Sequence, residues 1–307
     1  MKISPFSLKS SWLKGAFASL ALLAGAPALS ETRSAVTPVE TKAAPALWQV
    51  ADEDTTIYLF GTVHFLPPDL DWYGGEVAKA LEASGLIVKE LGPDAFEPAP
   101  LQAAVVKHAL MPQGQTVRSL MTDEQRSVYE AELKALGMPE AALDPFQPWF
   151  AAVRITVAKF QQIGFSAGSG VETVLEQKAP DTPRAGLETI DYQFGLFASL
   201  PMDEQVKYLM ETVGEMENIE PALKQMVESW RTGDADGLAE LMNAALAESD
   251  LAGPLLYTRN EAWAQWIKAR LEAPGTVFIA VGAGHLAGEK SVQDLLEAQD
   301  VDVARIQ

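Results

Sequence analysis

Residues 58–64 read YLFGTVH and residues 278–285 read FIAVGAGH, and both segments follow one plan. In each, an apolar run with strand character reaches a glycine, and a histidine follows three positions later. The chain has only three histidines, so two of them share this context. Glycine allows a sharp turn and a close approach of the backbone at the end of a strand. Sites in open α/β sheets lie beyond the carboxyl ends of strands, so we expect His64 and His285 to meet over one crevice.

The carboxylate of Glu90 is expected at the same crevice as the two histidines. Residues 86–91 (LIVKEL) form another apolar run, and Glu90 lies near its end. Two imidazoles and a carboxylate are a recurring ligand set for zinc and other divalent first-row metals. The same groups could form a metal-free acid–base pair, because histidine titrates near neutral pH. They could also be buried structural residues, and spacing alone leaves all three alternatives open.

The pattern of apolar residues predicts an α/β (α+β) fold. The sheet core comes from the N- and C-terminal segments, and the region of about 98–252 is a largely helical insertion with one short strand at 184–187. A β-hairpin is predicted around residues 51–54, followed by a helix and a strand. The C-terminal part predicts, in order, a helix at 257–271, a strand at 276–281, a helix at about 290–299 and a strand at 301–306. In the insertion, a capping box at Thr122 begins one of the helices, and further helices are predicted at 150–163, 193–200, 203–213, 221–231 and 236–247.

Composition excludes several kinds of site. The chain has no cysteine, so disulfides, zinc–thiolate sites and thiol nucleophiles are absent. Its formal net charge of −19 disfavours binding to nucleic acid and to anionic lipid surfaces, and a cationic substrate is easier to accommodate than an anionic one. The sequence contains no HExxH, P-loop or GxGxxG dinucleotide motif. Composition does not exclude a peptide or another small molecule as the substrate, and it does not indicate the oligomeric state.

The first 30 residues are typical of a signal peptide. Lys2, Lys9 and Lys14 precede or flank an apolar, uncharged segment at 15–25, and Ala-Leu-Ser at 28–30 is a plausible cleavage site. Residues 31–46 then have the composition of a flexible lead-in, and a single domain is expected from residue 47 to residue 307. We therefore expect a protein secreted across the inner membrane, periplasmic, without a stable membrane anchor after cleavage.

Five segments together resemble the TraB/GumN family, which is related to the Tiki membrane-associated metalloproteases. They are GTVH at 61–64, VKEL at 88–91, GLET at 186–189, TRNEAWA at 258–264 and VGAGHLAGEKSVQDLLEAQ at 281–299. The resemblance extends from about residue 47 to residue 306. It implies a metal-dependent hydrolase that acts on peptide bonds, with Zn, Mn or Co as the metal.

The resemblance also implies roles for single residues. His64, His285 and Glu90 match the family's metal-ligand and catalytic positions, and Glu90 could instead be the catalytic base. Arg259 would stabilise a developing oxyanion or bind a substrate carboxylate, although an ordinary helix arginine is the alternative. Asn260 is expected to orient backbone or His64.

Other residues are expected to play smaller parts. Glu188 is expected either to contact and orient a residue that binds the ligand, or to act as a charge at a helix N-terminus. His108 is expected at the surface or in packing. Trp230, Trp263 and Trp266 occur at helical spacing and are expected in the core.

Some features keep other functions open. The wider superfamily includes macrolide esterases and haem-binding proteins, so a periplasmic protein that binds or sequesters peptide or haem without turnover is the alternative function. The chain departs from the family pattern at Glu172, where aspartate is common, at 290–291, and at Asp300, where glycine usually ends the last helix. Of these, Glu172 is expected only to alter the placement of a helix.

Overall fold

A mixed β-sheet forms the centre of the fold. The structure is a computed structural model that describes residues 43–243 and 252–307. Within those residues, six strands form one sheet in the order β4-β3-β5-β2-β1-β6. The strands are β1 (Leu47–Ala51), β2 (Thr55–Thr62), β3 (Leu86–Leu91), β4 (Arg184–Glu188), β5 (Gly275–Gly282) and β6 (Ala304–Arg305).

Strands β4, β3, β5 and β2 run parallel to their neighbours, whereas β1 pairs antiparallel with both β2 and β6. In the β2–β5 pair, Gly61 lies beside Val281 and Thr62 beside Gly282. The two glycine–histidine segments therefore leave the sheet at the same level and on the same edge. This register is what the shared plan of the two segments predicts.

Alternation along the strands gives the sheet two buried faces. Ile57 and Ile279 pack on one face with Trp263, and Phe60 and Phe278 pack on the other. Both faces are covered by helices, as is usual for parallel strands that read as continuous apolar runs. The sheet is thus closed to solvent above and below, and polar groups are left to its carboxyl edge.

The helices come mainly from the middle of the chain. They are α1 (Gly75–Ala83), α2 (Pro98–Ala104), α3 (Asp123–Ala135), α4 (Pro148–Gln162), α5 (Val171–Lys178), α6 (Ile190–Ala198), α7 (Met202–Glu215), α8 (Ile219–Arg231), α9 (Ala235–Met242), α10 (Thr258–Leu271) and α11 (Val292–Glu297). The capping box is present: Thr122 accepts from the amide of Gln125, and the Gln125 side chain accepts from the amide of Thr122.

The predicted fold class is confirmed, with differences at the ends of elements. The last strand is shorter than the predicted 301–306, and Asp300 has a positive φ of 60°, the left-handed conformation that glycine adopts most readily. The end of the helix predicted at 236–247 falls in residues 244–251, which lie outside the described residues. The predicted signal peptide and most of the predicted lead-in also lie outside the described residues. Across the described ranges, no helix is both long and apolar enough to cross a bilayer.

Candidate active site

The polar cluster lies at the carboxyl edge of the parallel strands. Glu90 is in β3, Glu188 ends β4, and His64 follows β2 by two residues. His285 lies in a 3₁₀ turn, Ala283–Leu286, that directly follows β5. The first turn of α10 adds Arg259 and Asn260 from one side of the sheet, and both side chains are about 1% exposed. Four strand ends and one helix thus supply the six residues that the sequence singled out.

The two glycine–histidine segments pack directly against each other. A Cβ atom at Gly61 would lie 3.0 Å from the Cα atom of Ala283, so a side chain there would push the segments apart. Trp230 fixes this position from the helical region, because its Nε1 donates to the carbonyl of Gly61 at 2.8 Å. Glycine at the end of β2 is therefore required by the close approach of the second segment.

Arg259 occupies the centre of the cluster. Its Nη2 donates to Glu90 Oε2 at 2.6 Å and to Glu188 Oε2 at 2.9 Å, and its Nε donates to Glu188 Oε1 at 2.8 Å. Its Nη1 donates to the carbonyl of Leu255 at 3.1 Å and to Nε2 of His285 at 3.0 Å. Burial alone would lower the pKa of Arg259, but the charges of the two carboxylates outweigh it and raise the pKa. All five N–H directions of a guanidinium are thereby used.

Glu90 is held on both of its oxygens. Oε1 accepts from the backbone amide of Gly282 at 2.7 Å and lies 4.0 Å from Nε2 of His285. Oε2 accepts from Arg259 and, at 3.1 Å, from Nε2 of Gln193. Gln193 also donates to Glu188 at 2.8 Å, so one buried amide joins the ends of β3 and β4. The carboxylate is therefore rigidly placed between three strand ends.

His285 is a neutral imidazole with a defined tautomer. Its Nδ1 lies 2.5 Å from Oδ1 of Asn260, whose Nδ2 donates to the carbonyl of Lys290 at 2.8 Å. Asn260 therefore presents its oxygen, so Nδ1 of His285 carries the hydrogen and Nε2 accepts from Arg259. Burial, and then the charges of Arg259 and His64, hold the pKa of His285 well below its usual value.

His64 is paired with Glu172, which begins α5. Nδ1 of His64 lies 2.6 Å from Oε1 of Glu172, and the two side chains are 7% and 21% exposed. Burial lowers the pKa of His64, but the charge and hydrogen bond of Glu172 outweigh it and raise the pKa above its usual value. Burial likewise raises the pKa of Glu172, and the interaction with His64 reverses this and lowers it to about 2. The two shifts favour the charged form of each group.

The second nitrogen of His64 faces a small cavity. Both ring nitrogens of His64 are buried: Nδ1 has the close contact with Glu172, which lies outside ordinary hydrogen-bond geometry, and Nε2 has no such contact among the residues that the structure describes. The cavity has a volume of about 10 Å³, which is room for roughly one water. Its lining combines the β2 end with the helical region: Thr62, Val63, His64, Phe65, Phe160, Leu223, Met226 and Met242. A buried polar nitrogen without a partner is costly, so this atom indicates a position where a ligand or water binds.

The structure therefore brings the predicted residues together, with two differences in their partners. Asn260 orients His285 and not His64. Glu172 was expected only to change the placement of a helix, and it contacts a site histidine instead. Sequence reasoning also missed Gln193, and it placed Trp263 in the core without its hydrogen bond of 3.0 Å to Glu188.

Two other features lie apart from this cluster. His108 pairs with the half-exposed Asp191 at 2.9 Å, in agreement with the surface or packing role expected for it. A cavity of about 620 Å³ lies between Leu120 and the Met202–Glu211 part of α7, and no residue of the cluster lines it. We place the candidate site at the sheet edge and not at this cavity, because buried charges and an unpaired imidazole nitrogen converge only there among the described residues.

Comparison with known protein families identifies the family of this chain. The sequence profile of the TraB/PrgY/gumN family matches residues 46–305, which include every strand and all the residues of the cluster. The chain belongs to the TraB/PrgY/gumN family.

Two relatives of this chain have names that assign no activity. An uncharacterized protein of Treponema pallidum (strain Nichols) is 22% identical over 264 residues, which is 81% of this chain and 79% of the relative. The uncharacterized protein YbaP of Escherichia coli (strain K12) is 23% identical over 241 residues, which is 78% of this chain and 87% of the relative. No solved structure matches the chain.

The donor chemistry of this TraB/PrgY/gumN site fits a divalent metal. Two imidazoles have Nδ1 held by an oxygen acceptor and Nε2 turned to the cluster or its cavity, which is the usual support of metal-binding histidines. Glu90 and Glu188 share the guanidinium of Arg259, and Glu172 contacts His64, so three carboxylates are matched by one permanent positive charge. Arg259 occupies the space among them, and accordingly no three such side chains in the described ranges form a ready-made metal cage.

Proposed function

We propose that this protein is an exported hydrolase that uses a divalent metal ion to cleave peptide bonds. The observation that carries the proposal is the matched support of the two histidines. Each Nδ1 lies against a side-chain oxygen, of Glu172 for His64 and of Asn260 for His285, so Nε2 is the atom that would bind a ligand. In His285 the ligand would take the place of Nη1 of Arg259, which donates to this Nε2 at 3.0 Å. Histidines that only fill a core need no such paired arrangement at two adjoining strand ends.

Charge supports the same proposal. With both imidazoles neutral, three carboxylates and one guanidinium leave the cluster with a net charge of about −2 in a largely buried place. Such an excess is unfavourable without a cation, and protonation of His64 offsets only part of it. A divalent ion of the Zn, Mn or Co type would offset all of it.

His64 and His285 would hold the ion through Nε2, and Glu90 is the carboxylate placed to join them. A bound divalent ion would polarise a carbonyl and lower the pKa of a water. Arg259 has each N–H on a protein acceptor, so we assign it to positioning Glu90, Glu188 and His285. The oxyanion role that the family resemblance implies would require it to give up one of these partners.

Export and substrate class rest on the sequence. The basic and apolar pattern of residues 1–30 supports secretion to the periplasm, and the resemblance to Tiki-type metalloproteases supports a peptide substrate. The second candidate function is a periplasmic protein that binds peptide or haem without turnover. The nearly complete burial of the cluster favours it, because binding alone needs no access for an attacking water.

Metal analysis and hydrolysis assays test the proposal together. Purified protein should contain about one divalent ion per chain after dialysis against Mn²⁺, Co²⁺ or Zn²⁺. A mixed peptide pool incubated with it should give new fragments by mass spectrometry, and chelation should stop their formation. Metal-free protein that retains peptide or haem by equilibrium dialysis, with no product, would instead establish the binding function.

Metal affinity should depend on pH through His64. Its pKa is raised by Glu172, so below that raised value Nε2 carries a proton and cannot accept a metal. His285 has a depressed pKa and Glu172 stays ionised down to about pH 2, so neither titrates in this range. Affinity should therefore fall with decreasing pH, by about tenfold per pH unit, which corresponds to one proton.

Calorimetric titration with Mn²⁺ between about pH 5.5 and pH 8.5 measures this slope. The variant His108→Gln removes the third imidazole and should keep the same dependence. An affinity that stays constant over this range would contradict the assignment of His64 as a ligand.

A further inference from the structure

Glu172 is the one acidic side chain in contact with a site histidine through Nδ1 among the described residues. It is the second residue of α5, where an acid is usually explained by the positive end of the helix dipole. Here the carboxylate is instead only one-fifth exposed and lies 2.6 Å from the imidazole. An acidic residue that only stabilises the helix dipole can stay exposed to solvent. The burial of Glu172 and its contact with His64 therefore indicate another role.

The backbone ties the start of α5 to the segment that carries His64. Val171 donates its amide to the carbonyl of Val63 at 3.1 Å. Leu66 and Ser166 exchange amide–carbonyl bonds of 3.2 and 3.0 Å, which join the two segments on the other side of His64. The helix start and the histidine therefore form one unit held by backbone hydrogen bonds.

Gly170 allows this approach. A Cβ atom at that position would lie 2.1 Å from the carbonyl oxygen of His64, a distance that no side chain could occupy. The residue before α5 must thus be glycine for the helix to stand against the histidine. Glu172 then lies on the turn that faces the imidazole.

A second ion pair lies on the same face of this helix. Glu176, one turn after Glu172, pairs with Lys89, a strand residue that is 6% exposed and directly precedes Glu90. Helix α5 is therefore joined to β3 as well as to the end of β2.

We infer that Glu172 is the positioning residue of His64, and that it fixes the hydrogen on Nδ1 so that Nε2 is offered to the ligand. Asn260 does the same for His285 with a neutral oxygen, whereas Glu172 does it with a charge. A carboxylate on the opposite nitrogen makes an imidazole a stronger donor, so His64 is the more basic of the two ligands. The inference rests on the proposed function only in taking the ligand to be a metal ion. The assignment of the hydrogen to Nδ1 of His64 does not depend on that function.

The isosteric variant Glu172→Gln tests this, with Glu176→Gln as the matched control. Both variants remove one carboxylate from α5, and only the first touches a histidine. Glu172→Gln should weaken Mn²⁺ binding in calorimetry by about 10- to 100-fold, whereas Glu176→Gln should stay within about threefold of wild type. Equal weakening in both variants, or none in Glu172→Gln, would overturn the inference.

A readout without metal keeps the two proposals separate. Long-range ¹H–¹⁵N spectra of metal-free protein with ¹⁵N-histidine show which nitrogen of each neutral imidazole carries hydrogen, and His64→Ala assigns the signal. Wild type and Glu176→Gln should show His64 protonated on Nδ1, and Glu172→Gln should lose that preference. If wild type binds no Mn²⁺ but this change occurs, the proposed function fails and the positioning role stands. An unchanged Nδ1–H signal in Glu172→Gln excludes the role.

Discussion

Replacement of Arg259 by methionine should lower the free energy of unfolding by about 3–5 kcal/mol, because two buried carboxylates lose their shared cation. Methionine keeps much of the volume, so the loss reflects charge more than packing. Glu90 and Glu188 would face each other at the strand ends, and Nε2 of His285 would lose its donor. Urea denaturation of metal-free wild type and variant measures the difference.

Two features make this prediction specific. The deficit should shrink as the pH falls, because protonation of the unpaired carboxyls removes their repulsion. A divalent ion should stabilise the variant more than wild type, since it replaces the missing positive charge.

Arg118 provides a matched control. It also bridges two carboxylates, with bonds of 2.7 Å to Asp144 and 2.8 Å to Glu130, but its side chain is 25% exposed. Arg118→Met should cost about 1 kcal/mol, as expected for a pair that water screens. Equal losses in the two variants would show that burial of the Arg259 cluster does not decide its stability.

Replacement of either site histidine should abolish both metal binding and hydrolysis. In His64→Ala and His285→Asn, the metal content should fall from about one ion per chain to near zero. Peptide cleavage should drop by at least about 10³-fold, because each imidazole supplies a ligand that the other cannot replace. Plasma mass spectrometry for metal and fragment analysis for cleavage measure the two effects on the same samples.

The design separates ligand loss from misfolding. Asparagine at 285 retains a polar group beside Arg259 and Asn260, whereas alanine would leave their polar atoms unpaired. His108→Ala, outside the cluster, should keep metal and activity. Hydrolysis that survives in His64→Ala at full metal content would remove His64 from the mechanism.

The site could be predicted from the sequence as far as its geometry is local. The end of a buried strand, a glycine and a histidine are readable within eight residues, and parallel strands place such ends on one edge. Glu90 was found by the same reasoning. Trp263 could be placed in the core by helical spacing, but its hydrogen bond to Glu188 could not be predicted.

The partners of Arg259 could not be predicted because they depend on contacts over long sequence distances. It is separated from Glu90 by 169 positions and from Glu188 by 71. The role of Glu172 was missed because an acid in the first helical turn is common and has a sufficient local explanation. The one local signal was Gly170, two residues earlier, which permits the close approach of the helix.

The position of β5 in the sheet determines when the molecule can assemble. This strand begins at Gly275, within the last part of the chain, yet it lies between β2 and β3 in the middle of the sheet. During synthesis, the earlier strands would wait with unpaired edges until the end of the polypeptide emerges. A product that terminates before residue 275 would therefore lack the central strand as well as His285, so the polar cluster cannot form until the chain has been made through residue 285.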